Sequence, residues 1–277
     1  MTRRTFLAAV PLLAQSKRPM LCMFSKHFPE LRYDELGKTC RGLGFAGIDL
    51  TVRAKGHVLP ENVGEDLPRA VEALRKNGLE VPMITTEITS AAGAEPILKT
   101  AASLGIPYFK PGYWRYNSVE PLTRIKEVAA DIRGLAALAA DHKITMGLHN
   151  HSGTYVGEAV WDTWEMIRDL DPRWTGFYYD PGHATIEGGA GGREISQRLV
   201  TPRLKMVAIK DFYWNKATPV WCPMGEGVVN WKQVFADFAT AGYAGPLSLH
   251  LEYDGGMDVA ARVAAVRKDL SYIHRFI

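Results

Sequence analysis

The feature that most limits the fold is a regular alternation of short apolar strands with helical segments. The predicted strands are Met20–Phe24, Ala46–Val52, Val81–Thr86, Tyr108–Lys110, a run that begins at Ile144, Thr175–Tyr179, Leu204–Ile209 and Leu247–Leu251. The predicted helices are Tyr33–Leu43, Leu67–Lys76, Ala94–Leu104, Pro121–Ala140, Val160–Leu170, Glu194–Leu199, Trp231–Ala241 and Val259–His274. Alternation of this kind predicts an α/β chain with a parallel sheet.

Eight such units in one chain predict a single closed (β/α)8 TIM barrel over residues 19–277, rather than an open doubly wound sheet. No G-x-G-x-x-G follows the first strand, so the main support for a dinucleotide-binding fold is missing. In the last strand Leu247, Leu249 and Leu251 alternate with polar residues, which predicts one face toward the helices and one toward the barrel.

The N-terminus predicts export. Thr2-Arg3-Arg4-Thr5-Phe6-Leu7 and a short apolar run resemble a twin-arginine signal, which we assign to residues 1–18. The mature protein is then expected in the periplasm, without stable membrane insertion, since the apolar run is too short to span a bilayer. An N-terminal tail that merely contains two arginines is the alternative.

Composition limits the partners. The 277 residues carry a net charge of +3 without a concentrated basic patch, which argues against nucleic-acid binding. Three widely spaced cysteines form neither a disulfide framework nor a zinc-finger pattern.

Polar side chains gather at the carboxyl ends of the predicted strands, where the sites of such barrels lie. They are Asp49, Glu87, Lys110, His149 with His151, Asp180 with His183, Lys210 with Asp211, and His250 with Glu252. Imidazoles and carboxylates together suit Mn²⁺, Co²⁺, Zn²⁺ or Mg²⁺. Each also has an ordinary explanation: Asp180 before Pro-Gly is typical of a turn, and Lys210-Asp211 of a surface pair.

Several segments resemble the sugar phosphate isomerase/epimerase family of xylose isomerase-like barrels. They are GFAGIDL, GLHNHSG, YDPGHA, IKDF, PMGEGVVNW and GYAGPLSLHLEYD, spread over nearly the whole mature chain. The resemblance implies a divalent metal held on strands 5 to 8, at positions that carry over to His149, Asp180, Ala208 and Glu252. Ala208 cannot bind metal, and His250 is the expected replacement, because strand alternation points it the same way as Glu252.

The resemblance also implies proton transfer next to a carbonyl on a sugar or cyclitol, by an isomerase or epimerase. Glu252 is the expected base, with His149 or His151 as acid. The candidate substrate-binding residues are His183, Lys110, Glu87, Trp114 and Lys210. Trp114, Trp214 and Trp221 either stack on sugar or serve the core or an oligomer contact.

Two alternatives to the isomerase or epimerase remain open: a keto-sugar or inosose dehydratase, and a barrel that binds carbohydrate without catalysis. A homodimer is a further expectation.

Overall fold

The computed structural model describes residues 18–277, and its centre is a closed parallel barrel of eight strands. These strands are β1 Met20–Phe24, β2 Gly47–Val52, β3 Glu80–Thr86, β4 Tyr108–Lys110, β5 Thr145–His149, β6 Thr175–Tyr179, β7 Leu204–Ile209 and β10 Pro246–Leu249. They neighbour one another in chain order, and β10 pairs with β1 to close the barrel. The predicted (β/α)8 barrel is therefore confirmed. The predicted export signal lies, apart from Arg18, outside the described residues.

Helices surround the barrel. They are α1 Tyr33–Leu43, α2 Val63–Lys76, α3 Glu95–Ser103, α4 Pro121–His142, α5 Trp161–Ile167, α6 Pro181–Val200, α7 Trp231–Thr240 and α8 Val259–Ile273. Within residues 18–277, no helix combines the length and the apolarity needed to cross a membrane.

The core has two parts, as the alternation along the strands predicted. Leu247, Leu249 and Leu251 are fully buried in the large layer between strands and helices, whereas Ser248 turns inward and donates a hydrogen bond to Asp49. Inside the barrel a smaller apolar layer contains Met83, Tyr178, Met206 and Ala208.

Helix α6 begins earlier than the sequence predicted. Instead of starting at Glu194 it starts at Pro181, because the Asp180 side chain accepts a hydrogen bond from the backbone N–H of His183 at 3.0 Å. Proline at the first helical position already has the required φ. The prediction missed this start because of the glycine-rich run, where Gly189 has non-helical angles and kinks the helix.

A two-stranded antiparallel hairpin follows β7, in a segment for which the sequence predicted neither a strand nor a helix. Its strands are β8 Asp211–Asn215 and β9 Thr218–Cys222. Lys216 in its turn has a φ of +56°, a conformation that a glycine would normally signal in the sequence. The hairpin leaves from the carboxyl end of β7, which places Trp221 beside the barrel mouth.

Candidate active site

A polar pocket lies at the carboxyl ends of the barrel strands. Each of the eight barrel strands contributes a lining residue from its own end or from the position directly after it. The lining residues are Phe24, Lys26, Arg53, Thr85, Lys110, Tyr113, His149, His151, Tyr178, Lys210, His250 and Glu252. Four of them are cationic and only Glu252 is acidic. The pocket therefore combines one carboxylate with several positive groups and imidazoles.

Behind one wall, Asp180 anchors the ammonium group of Lys210. Both residues are buried, and Lys210 Nζ lies 3.0 Å from Asp180 Oδ2. The same Nζ donates to His183 Nε2 at 2.7 Å. His183 must therefore accept at Nε2, so its Nδ1–H donates to Ser152 Oγ at 2.8 Å. These contacts fix the direction in which the ammonium group points.

The charges of this cluster follow from burial and pairing. Burial alone would raise the pKa of the Asp180 carboxyl, but the charge of Lys210 and the neighbouring His183 and His149 hold it well below its usual range. Burial, reinforced by Lys210, lowers the pKa of His183. The cluster is therefore an aspartate–lysine ion pair beside a neutral imidazole.

The two histidines of the His149-Asn150-His151 stretch lie in the pocket, whereas the asparagine stabilises the fold. His149 and His151 both line the pocket. Asn150 instead turns to the backbone of Asp180, accepting from its N–H at 2.8 Å and donating to its carbonyl at 3.0 Å. The end of β5 thus holds the end of β6 in position.

Tyr113 orients His149. Its hydroxyl lies 2.5 Å from His149 Nδ1, while His149 Nε2 lies 3.3 Å from Asp180 Oδ2. Burial raises the pKa of Tyr113, so its hydroxyl stays protonated and donates to Nδ1. Burial lowers the pKa of His149 to about 3 and, together with Lys210, that of His151 to about 4. Both imidazoles are therefore neutral at physiological pH.

Glu252 lies across the pocket among positive and aromatic groups. Lys26 Nζ donates to its Oε2 at 2.8 Å, and His250 Nδ1 is 3.7 Å from Oε1, beyond normal hydrogen-bond distance. Burial opposes ionisation, but the adjacent His250 ring and the charges of Lys210 and Lys26 hold the pKa of Glu252 far below its usual value. Phe24 stacks on His250, with ring centroids 4.4 Å apart. Glu252 is thus a fixed, ionised carboxylate.

A buried carboxyl closes the floor of the pocket. Asp49 accepts hydrogen bonds from Thr85 at 2.7 Å, Ser248 at 2.8 Å and Tyr178 at 3.0 Å. Burial raises the pKa of Asp49 to about 6 in spite of these bonds. Tyr178 also contacts His250 Nε2 at 3.0 Å, which links the floor to the wall that contains Glu252.

The predicted site residues are only partly brought together. His149, His151, Lys110, Lys210, His250 and Glu252 line the pocket, with Asp180 and His183 directly behind Lys210. Glu87 is exposed at the rim, 3.8 Å from Arg53. Trp114 is buried in the core, where its indole donates to Asp131 at 3.1 Å, so it does not reach the pocket.

The sequence did not identify some of the pocket residues, among them Tyr113, Arg53, Lys26 and Tyr178. Tyr178 could have been found, because it lies two positions before Asp180 and strand alternation therefore gives it the same direction.

The residues present do not fit a divalent metal in this arrangement. Within residues 18–277 no group of three or more His, Cys, Asp or Glu side chains converges as a metal site. Ala208, at the position where the family resemblance implies a histidine, lies in the interior layer. Of the four predicted ligands, Asp180 is paired with Lys210 and Glu252 with Lys26. Three predicted ligand atoms, His149 Nε2, Asp180 Oδ2 and His250 Nδ1, are buried without a hydrogen bond. Lys210 Nζ, however, lies 3.0 Å from Asp180 Oδ2, and among residues 18–277 no third ligand side chain converges on His149 and Asp180.

Comparisons with known proteins agree with the fold. The chain superimposes on a 3-keto-D-glucoside 4-epimerase from E. coli with a TM-score of 0.74 and 16% identity, covering 93% of this chain and 100% of that one. For a D-psicose 3-epimerase from Clostridium cellulolyticum the TM-score is 0.75 and the identity 13%, over 93% and 99% of the chains. For a probable 3-DHS dehydratase from Bacillus anthracis the TM-score is 0.73 and the identity 15%, over 92% of this chain and 98% of that one.

No curated protein shows a significant sequence match to the chain. The family model described as xylose isomerase-like TIM barrel, however, matches residues 38–276, which is most of the chain. The chain belongs to the xylose isomerase-like TIM barrel family.

Proposed function

We propose that this protein is an enzyme that transfers a proton at a carbon next to a carbonyl group of a sugar or cyclitol, as an isomerase or epimerase. The observation that carries the proposal is a single ionised carboxylate, Glu252, in a pocket that is also lined by neutral imidazoles and two buried lysines. The epimerases with the same fold support a sugar as the substrate class.

Glu252 is the base in this reaction. It is the only carboxylate among the lining residues, and Lys26 fixes its position through an ion pair at 2.8 Å. Removal of a proton next to a carbonyl leaves an enediolate, whose negative charge needs nearby positive groups or hydrogen-bond donors. Lys110 and Lys210 line the same pocket and supply such groups.

His149 and His151, the acids expected from the sequence, line the same pocket as Glu252. In its neutral form His149 accepts from Tyr113 at Nδ1 and directs its Nε2–H at Asp180. Neutral His151 donates its Nδ1–H to the Ser152 carbonyl at 2.9 Å. Either ring therefore acts as an acid only after it gains a proton, and neutral His151 offers the substrate an acceptor at Nε2.

A keto-sugar or inosose dehydratase is the second candidate. The presence of only one carboxylate in the pocket favours it, because elimination of water requires one base for carbon, together with a donor for the leaving hydroxyl. Neutral His151 already donates its one N–H, on Nδ1, to the Ser152 carbonyl at 2.9 Å, so the candidate donor is an ammonium group of the pocket. The likeness to a probable 3-DHS dehydratase is in keeping with this reading.

Hydrogen exchange tests the proposal. Purified protein is incubated in D₂O with a panel of ketoses, 3-keto-glucosides and inososes, and loss of the C–H signal next to the carbonyl is followed by ¹H NMR, which also detects epimers or dehydrated products. Replacing Glu252→Gln is expected to slow exchange by about 10²–10⁴-fold. Glu226→Gln is the matched control, since Glu226 is an exposed carboxylate paired with Lys268 and is not among the lining residues.

Two results would contradict the proposal. One is equal exchange by wild type and Glu252→Gln. The other is calorimetric binding of a sugar by both proteins with no exchange and no product, which would identify a carbohydrate-binding barrel instead of an enzyme.

A further inference from the structure

Two buried lysines face the same pocket. Lys110 and Lys210 are each only 3% exposed, yet both line the cavity at the barrel mouth. Burying an ammonium group is costly unless a counter-charge or a set of acceptors compensates it. The presence of two such groups at one pocket therefore requires an explanation.

Lys210 has its compensation within the protein. Asp180 supplies the counter-charge at 3.0 Å, His183 accepts a hydrogen bond at 2.7 Å, and the Trp221 ring lies 4.7 Å from the ammonium group. Its position next to Asp180 is the important point, because Asp180 is the residue at the strand-6 metal position. Lys210 thus brings a fixed positive charge to the carboxylate that was predicted to hold a cation.

Lys110 has no such compensation. Its Nζ lies 3.3 Å from the centroid of the Tyr113 ring, and among residues 18–277 no carboxylate lies within salt-bridge distance of it. Burial lowers the pKa of Lys110 and the charge of Arg53 lowers it further, against the opposing charges of Asp49 and Glu87, neither of which lies within salt-bridge distance. An oxyanion bound in the pocket would favour the ammonium form, so the missing counter-charge is one that a reacting substrate can supply.

We propose that the ammonium groups of Lys110 and Lys210 together take the place of the divalent metal, holding the substrate carbonyl oxygen and the enediolate formed from it. The inference rests on the function proposed above. As Glu252 removes the proton, the electron pair of the C–H bond forms a C=C bond, and the carbonyl π pair moves to the oxygen that the two lysines hold. Return of the proton to carbon reverses these changes, so no oxidant or covalent intermediate is required.

This arrangement favours the reacting state over the bound ketone. A neutral carbonyl compensates a buried charge weakly, whereas an enediolate oxygen compensates it fully. Interactions that strengthen only as charge develops are those that accelerate a reaction. Ala208 supports the same arrangement, because a site that uses two ammonium groups instead of a metal needs no strand-7 histidine.

Binding of an enediolate analogue tests the inference without turnover. Glycolohydroxamate is titrated calorimetrically into protein stripped of metal, in buffer that contains EDTA, and metal content is checked by inductively coupled plasma mass spectrometry. Lys110→Met is the main variant, because it leaves no buried carboxylate without a partner. We expect at least tenfold weaker binding than in wild type, with partial recovery in Lys110→Arg.

Lys210→Met is expected to weaken hydroxamate binding to a similar extent. If loss of the ion pair with Asp180 prevents this variant from folding, Lys210→Arg is used instead, because it keeps the positive charge. The matched control is Lys205→Met. Lys205 is a half-buried lysine on β7, the strand that ends directly before Lys210, and it does not line the pocket. Its binding constant should equal that of wild type.

Two outcomes overturn the inference: binding of the hydroxamate only after Mn²⁺, Co²⁺, Zn²⁺ or Mg²⁺ is added, or equal binding by wild type and Lys110→Met. The exchange assay separates this failure from failure of the proposed function. If hydrogen exchange requires added metal, the role of the lysines is contradicted and the proposed reaction is supported. If the hydroxamate binds without metal and this binding depends on the lysines, but no substrate exchanges hydrogen, the oxyanion site is supported and the proposed reaction is contradicted.

Discussion

Asp211 ties the hairpin to the Gly-Glu-Gly loop, and its replacement gives a sharp test of how this part of the barrel mouth is held. Its Oδ1 accepts from the backbone N–H groups of Phe212 at 2.9 Å and Val229 at 3.2 Å. Its Oδ2 accepts from Gly225 at 3.0 Å and Gly227 at 3.3 Å. The carboxylate is buried, so no water replaces these bonds.

Asp211→Asn changes little volume but replaces one acceptor oxygen with an NH₂ group. Whichever oxygen is lost, two backbone N–H groups lose their acceptor and face a donor. Hydrogen bonds to a charged group contribute about 1.5–3 kcal/mol each, so we expect a loss of about 3–6 kcal/mol in the free energy of unfolding. At about 2–4 °C per kcal/mol for a chain of this size, the melting temperature should fall by roughly 6–24 °C.

Differential scanning calorimetry and urea denaturation followed by circular dichroism measure this change. Asp258→Asn is the matched control, because Asp258 caps α8 with one bond to the backbone of Ala261 at 2.8 Å and asparagine caps helices equally well. If Asp211→Asn melts within a degree of this control, the four backbone bonds do not hold the loop and the reasoning is refuted.

Two further predictions concern titratable groups. Lys26→Met should raise the pKa of Glu252 by removing an adjacent positive charge, which makes Glu252 a stronger base, so kcat/KM for exchange at neutral pH should increase; an unchanged value would show that the charge of Lys26 does not act on the base. Burial raises the pKa of Asp49 to about 6, so the folded state binds the proton more tightly and wild-type stability should fall by about 3 kcal/mol as pH rises from about 3 to about 7. In Asp49→Asn, urea titrations should show that this fall is absent, and a persistent fall would assign it to another group.

The barrel could be predicted from the sequence because each strand and helix has a local signature. The alternation of apolar strands with helical segments marked the elements, and the alternation of Leu247 with Ser248 indicated the two faces of the last strand. The hairpin could not be predicted in the same way, because Lys216 rather than a glycine occupies the left-handed position of its turn.

The site could be predicted only as a set of strand ends. The rule that parallel strands end at one mouth placed His149, Lys210 and Glu252 in one pocket. Which of them pair with one another depends on distances of a few ångströms, which no spacing in the sequence records. The pairing of Lys210 with Asp180, and the burial of Trp114 against Asp131, therefore became visible only in the structure.

The several contacts of Asp180 limit how this enzyme can evolve. One side chain starts helix α6 through the backbone of His183 and neutralises Lys210, and its own backbone is held by Asn150. A mutation there damages folding and chemistry together, so selection cannot use it to explore new substrates. Lys26 and Arg53 line the same pocket but lie closer to solvent, so they can change with less cost to the fold. New specificities in this lineage should arise at such rim positions, while the aspartate stays fixed.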